Sequence, residues 1–202
     1  MKRLRLVSIL CLLLALVGLS SCNDSSLRKD ILGEWVGAPG TMVALGKITN
    51  GQADFHSFNF IFKDETQGVL SFEYTIRPKV DGEAMSLRLA FSAPITYKIL
   101  GGRLSFKFDQ AASRAELLEY LIDGKECFEM LREEAEGEDE QSLQDTYQKM
   151  KREMEESVKE GILEGFGDSG GEGFGSNLKV KDGIMTMEDE DEVLLTFHRK
   201  KS

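Results

Sequence analysis

Few side chains in this sequence could carry covalent or acid–base chemistry. There are three cysteines, Cys11, Cys22 and Cys127, and two histidines, His56 and His198. A thiol becomes a nucleophile when a neighbouring base or cation draws off its proton. Cys127 lies in ECFEML between Glu126 and Phe128, and only His56 or His198 could serve it as that base. Lacking one, it is a buried and inert thiol. The histidines stand 142 positions apart, so they form neither H-E-x-x-H nor a three-ligand zinc set, and G-x-S-x-G is absent. Residues 165–170 spell G-x-G-x-x-G. That fingerprint holds a pyrophosphate only between a strand and a helix N-terminus. Here a helical pattern precedes it, strand patterns follow it, and Asp168 and Glu172 would repel phosphate. The acidic stretches 133–140 and 188–192 lack the spacing of a calcium loop and read as solvated charge. The sequence therefore predicts no enzyme: no catalytic residue, no cofactor and no metal.

One thiol remains, and its surroundings are the most informative in the chain. Lys2, Arg3 and Arg5 form a positive leader, residues 6–19 (LVSILCLLLALVGL) are almost wholly apolar, and Leu19-Ser20-Ser21 leads to Cys22. A basic end, a short apolar core and small residues at its exit make an export signal over 1–21, too short for a comfortable membrane span. The Leu-small-small-Cys sequence resembles the lipobox of bacterial lipoproteins. That resemblance implies cleavage before Cys22, diacylglycerol on its sulfur and acylation of the new amine. An ordinary signal peptide cut near a cysteine is the alternative.

Composition agrees with an acyl anchor. Removing residues 1–21 leaves 181 residues, enough for one domain with a sizeable core. The leader takes three basic residues and no acidic ones, so the formal charge moves from −10 to about −13. Such a balance argues against nucleic acid as a partner and against electrostatic docking on anionic lipid. Attachment to the bilayer would come from acyl chains, each buried CH2 contributing roughly 0.8 kcal/mol. With Cys11 lost and Cys22 acylated, Cys127 has no partner, which excludes a disulfide scaffold.

The elements that follow are mostly strands. Residues 22–30 form a lipidated tether, and the domain opens at Ile31-Leu32-Gly33-Glu34-Trp35. Trp35, the sole tryptophan, reads as a plug at one end of a barrel or as a ligand contact, with Gly33 letting the backbone pass beneath the indole. Residues 41–49 predict a strand ending in an Asn50-Gly51 hairpin turn. Phe58, Phe60 and Phe62 share one face and Phe55 lies on the opposite register. Leu70, Phe72, Tyr74 and Ile76 alternate with polar residues, as do Met85, Leu87, Leu89 and Phe91. Pro94 interrupts, residues 95–100 resume, and Leu104, Phe106 and Phe108 align after Gly101-Gly102. Period two without a βαβ rhythm predicts an antiparallel sheet curled on itself or paired with another. Its aromatic stripes either fill a small barrel or line a cavity. Phe72, Tyr74, Leu87, Leu89, Phe106 and Phe108 are the candidate ligand-lining residues.

A helical insertion is expected over about 110–163. Ala111, Ala115, Leu118 and Ile122 suggest a first helix over 110–122, while KECFEMLREEAE is ambiguous. Leu143, Tyr147, Met150, Met154, Val158 and Ile162 mark a clearer one, with Ser142 and Asp145 resembling a capping box. Asp145/Lys149, Lys149/Glu153 and Glu155/Lys159 offer i,i+4 ion pairs. The apolar stripe covers the barrel or receives a partner chain. Residues 165–176 form a glycine-rich link, and Val193, Leu195 and Phe197 face inward on a last strand beside the first.

The lipobox Cys22, the opening Leu32-Gly33-Glu34-Trp35, the short antiparallel strands and the final Phe197-His198-Arg199 together resemble the lipocalin-like lipoproteins of the Bacteroides group. The resemblance covers 31–199 and implies a mainly β, antiparallel lipocalin-like barrel with Arg199 against Trp35 as barrel closure; the apolar stripe adds a helix packed on that barrel. It departs from a plain eight-stranded cup through the insertion. The expected function is a membrane-anchored envelope lipoprotein, the outer membrane ahead of the inner, binding a small apolar ligand in the cup. The alternative is a non-catalytic structural or interaction lipoprotein with a solid core, meeting an envelope protein partner through the 143–162 helix.

Overall fold

A computed structural model describes residues 24–49, 51–80, 82–135, 139–167, 174–189 and 191–201. The leader, Cys22, Asn50 and residues 168–173 of the glycine-rich link lie outside them. The strands are β1 (Gly33–Gly37), β2 (Ala53–Phe62), β3 (Gln67–Ile76), β4 (Lys79–Val80), β5 (Glu83–Leu100), β6 (Arg103–Phe108), β7 (Arg114–Ile122), β8 (Lys125–Glu126), β9 (Ser176–Lys181), β10 (Ile184–Glu188) and β11 (Leu194–Arg199). The helices are α1 (Pro39–Ile48), α2 (Cys127–Glu134) and α3 (Glu140–Gly167), and residues 24–30 are also helical.

All strand pairings are antiparallel, as the alternation predicts. The order is β8-β7-β5-β3-β2-β1-β11-β10-β9, with β4 and β6 also pairing with β5. First and last strands adjoin, Trp35 opposite Arg199. The sheet is not closed by a strand ladder, so the fold is a mainly antiparallel β-sheet with a few helices. Three backbone hydrogen bonds bring β6 close to β9: Leu104 N–H to Gly175 O at 2.8 Å, Gly175 N–H to Leu104 O at 3.2 Å, and Leu178 N–H to Gly102 O at 2.8 Å. A Cβ on Gly175 would lie 2.6 Å from Met187 Sδ, so only glycine allows this approach.

Several local expectations are corrected. Residues 41–49 form α1, not a strand. Pro39 sits in its first turn, where a missing N–H costs nothing, and Met42, Ala44 and Leu45 are good helix formers. The Thr41 hydroxyl donates to Thr196 O at 2.7 Å and accepts from Thr196 N–H at 2.8 Å, standing in for a strand neighbour. Residues 110–122 form a short 3-10 turn and then β7, not a helix. The register slips between Arg88 and Leu89, which leaves Leu118 as an extra residue in β7. Leu117 and Tyr120 both turn inward as a result, three apart. That bulge imitates helical spacing.

A second bulge explains Phe55. The β2–β3 register shifts between Phe55 and Ser57, so His56 is the extra residue and Phe55 joins Phe58 on the inner side, ring centroids 6.4 Å apart. Pro94, finally, does not interrupt β5. Its carbonyl accepts from Asp109 N–H at 2.9 Å, at the gap between the β7 partners (through Ser92) and the β6 partners (from Ile95). A strand residue's N–H points to the same edge as its carbonyl, so the N–H that proline lacks would face the interval between two partner strands.

α3 is the expected long helix, but it begins at Glu140, which leaves Ser142 inside it and no capping box. Lys149/Glu153 pair at 3.9 Å as expected. Asp145 instead accepts from Gln141, and Glu155 pairs with Lys151 and accepts the Leu117 N–H at 2.9 Å. The side chain of Glu155 thus serves the free edge of β7. Leu143 is buried, and Tyr147, Met150, Met154, Val158 and Ile162 pack half-buried against the core. The apolar stripe is turned to the sheet, not to solvent.

Candidate functional site

Registers define two ends of the sheet. The base carries Gly33 opposite Phe62, Phe62 opposite Gly68, and Gly68 opposite Ile95. The mouth carries Ala53 opposite Ile76 and Ile76 opposite Leu87, with α1 following β1 there.

At the base Trp35 is fully buried, its indole N–H donating to Ile31 O at 2.5 Å. The Arg199 guanidinium lies 4.5 Å from the indole centroid, a cation–π contact, and donates to the Leu32 and Asp30 carbonyls. Gly33 has φ +122°, and a Cβ there would come within 3.1 Å of Arg199 Nη1. The structure thus brings Gly33, Trp35 and Arg199 together, for reasons of close approach.

The six candidate lining residues all lie on the inner faces. Phe72, Tyr74, Leu87, Leu89 and Phe106 are buried, and Phe108 packs partly buried against them. They face other side chains more than space. Phe91 and Phe108 meet edge to face at 5.7 Å, and Phe72 stacks on Phe58 at 5.5 Å and 7°. Phe174 enters the same cluster from the glycine-rich link, stacked on Phe58 at 5.7 Å and 4° and tilted against Phe106 at 5.2 Å. Sequence reading missed Phe174; its signal was one aromatic ring set between Gly173 and Gly175. Burial pushes the Tyr74 phenol up to about 12, so this ring stays neutral.

No protein family, curated protein or solved structure matches this chain. What it can do must be read from its own geometry.

An open groove of about 470 Å³ runs at the mouth between α1 and the start of β2. Met42, Val43, Ala53 and Phe55 supply its apolar lining, and Lys47 and Asp54 stand at its rim. Phe55 links the groove to the interior, stacking on Tyr74 at 5.8 Å and tilted against Phe72 at 5.9 Å. The helix α1 and the His56 bulge build this groove together. Neither is legible as a two-residue alternation.

The reactive side chains are scattered. Cys127 is buried at the start of α2, and burial, with Glu126 and Glu134 beside it, pushes its thiol pKa up. His56 shares a hydrogen bond with Thr75 Oγ1 at 2.7 Å, and His198 is exposed on β11. Among the described residues no three His, Cys, Asp or Glu side chains gather as a metal site. No described helix is long and apolar enough to cross a membrane. A buried thiol held protonated should resist modification. In the folded protein Cys127 is expected to react with a disulfide reagent at least ~100-fold more slowly than in urea; equal rates would place it at the surface.

Proposed function

We propose that the chain is a non-catalytic lipoprotein of the bacterial envelope, held by acyl groups on Cys22, whose lipocalin-like domain takes a small apolar ligand at its mouth. The observation that carries this reading is the groove of Met42, Val43, Ala53 and Phe55, apolar and open, at the end of a continuous aromatic stack. A ligand there gains apolar contact without displacing the packed interior. The lipocalin-like part is supported by Gly33, Trp35 and Arg199 meeting at the base and by β11 returning beside β1. The close approach of β6 to β9 supports a barrel-like curl.

Titration with an environment-sensitive apolar dye is expected to reveal one saturable site. Phe55→Ala is expected to weaken it about tenfold, one aromatic contact being worth about 1–1.5 kcal/mol. Binding that never saturates would sink the ligand reading. The second reading is an interaction lipoprotein with a solid core, favoured by the rings packed around Phe174.

A further inference from the structure

We infer that the base of the sheet, at the tip of the β5–β6 hairpin, is the face that rests on the bilayer, and that the lipid it meets is anionic. This rests on the acyl anchor proposed above. Three observations converge on it. The first is attachment. Asp24 lies two positions after Cys22 in the sequence, and its carboxylate accepts from Gly101 N–H at 2.8 Å and Gly102 N–H at 3.1 Å. Arg28 donates to Ile99 O at 3.0 Å. The residues next to the acylated cysteine are thereby fastened to this hairpin, so a short tether leaves the hairpin within reach of the membrane surface.

The second is exposed apolar surface. Leu100, at the hairpin tip, is 77% exposed, more than any other large apolar side chain described. A leucine held out by a tight Gly101-Gly102 turn, both glycines at positive φ, gains nothing in water and much in an interface.

The third is charge. Lys98, Leu100 and Arg103 share one face of the hairpin, Leu100 lying directly opposite Arg103, and Arg28 reaches the same hairpin through its bond to Ile99 O. Among the described residues none of these three cations forms an ion pair. Carboxylates also lie nearby, and hydrogen bonds from the hairpin amides to Asp24, from the Ser26 hydroxyl to Asp30 and from Thr66 and Gln67 N–H to Asp64 do not cancel their charge. With Glu65 they offset Arg28 and Lys29, but residues 98–105 of the hairpin hold no acidic residue, so the face of Lys98, Leu100 and Arg103 carries only positive charge. The overall charge, about −13 once residues 1–21 are removed, would hold the protein off an anionic surface if it were spread evenly, but it is not. Acidic residues crowd α2, α3 and the sequence 188–192, whereas Lys98 and Arg103 face the lipid at short range, where a Debye length of about 8 Å screens the rest.

The test uses the full acylated protein in vesicles. Leu100→Cys and, at the opposite end, Val43→Cys are each labelled with an environment-sensitive fluorophore, Cys22 being acylated and Cys127 buried. Vesicles of phosphatidylcholine alone and with phosphatidylglycerol carry a lipid-borne quencher. The label at 100 is expected to be quenched at least threefold more than the label at 43, and more strongly in the anionic vesicles. Adding Lys98→Glu with Arg103→Glu is expected to erase the anionic preference without moving the unfolding midpoint. An aqueous label at 100, or stronger quenching at 43, would overturn the orientation. An unchanged anionic preference in the double variant would overturn the charge argument. The mass of the purified protein separates these from failure of the anchor: a chain without acyl groups removes the anchor itself, and this inference falls with it.

Discussion

Trp35→Ala is expected to lower the unfolding free energy by about 3–5 kcal/mol, among the largest effects of any single substitution here. The side chain is fully buried, and three groups depend on it. Its N–H satisfies the Ile31 carbonyl, its face carries the Arg199 guanidinium, and its bulk fills the base beneath β1 and β11. Truncation leaves a cavity and an unpaired carbonyl together. Trp35→Phe keeps the ring but not the donor, and should recover more than half of the loss. Urea unfolding followed by far-ultraviolet circular dichroism measures both. A loss below about 1 kcal/mol for the alanine variant would mean that the strand ladder alone holds the base.

Phe60→Ala should be comparably severe, at about 3–5 kcal/mol. Phe60 is fully buried and in ring contact with Phe58, Phe62, Phe106, Phe174 and Phe197. Its neighbours come from β2, β6, β11 and the end of the glycine-rich link, so no single element can shift to refill the space. A dry aromatic cavity of that kind binds apolar probes. The variant should therefore show a second dye site in addition to the one at the mouth, while the native protein shows only the first. Two saturable sites in the native protein would mean that its interior is already open and that Phe174 does not fill it.

Much of the inner surface was legible because burial on a strand repeats every two residues. Leu70, Phe72 and Tyr74 on β3, and Leu87 through Ile99 on β5, lie where alternation puts them. The pairing of Trp35 with Arg199 was legible only through resemblance, since nothing in a linear pattern joins residues 164 positions apart. Where the reading failed, a single residue broke the period. One extra residue at Leu118 made a strand look helical, and one at His56 turned Phe55 to the other face. Bulges are chosen by the partner strand's register, which a single chain segment does not contain.

By itself the sequence determined that this chain builds a mainly antiparallel β domain, because composition and the two-residue period are local properties. Tertiary structure alone decided that the candidate lining residues meet one another and Phe174, leaving the open space at the mouth under α1. It also decided that Asp24 ties the helical residues 24–30 to the Leu100 hairpin. Contacts of that kind depend on which distant backbone atoms arrive at the same place, and only the folded sheet brings Gly101 and Gly102 to Asp24, or Met187 to Gly175.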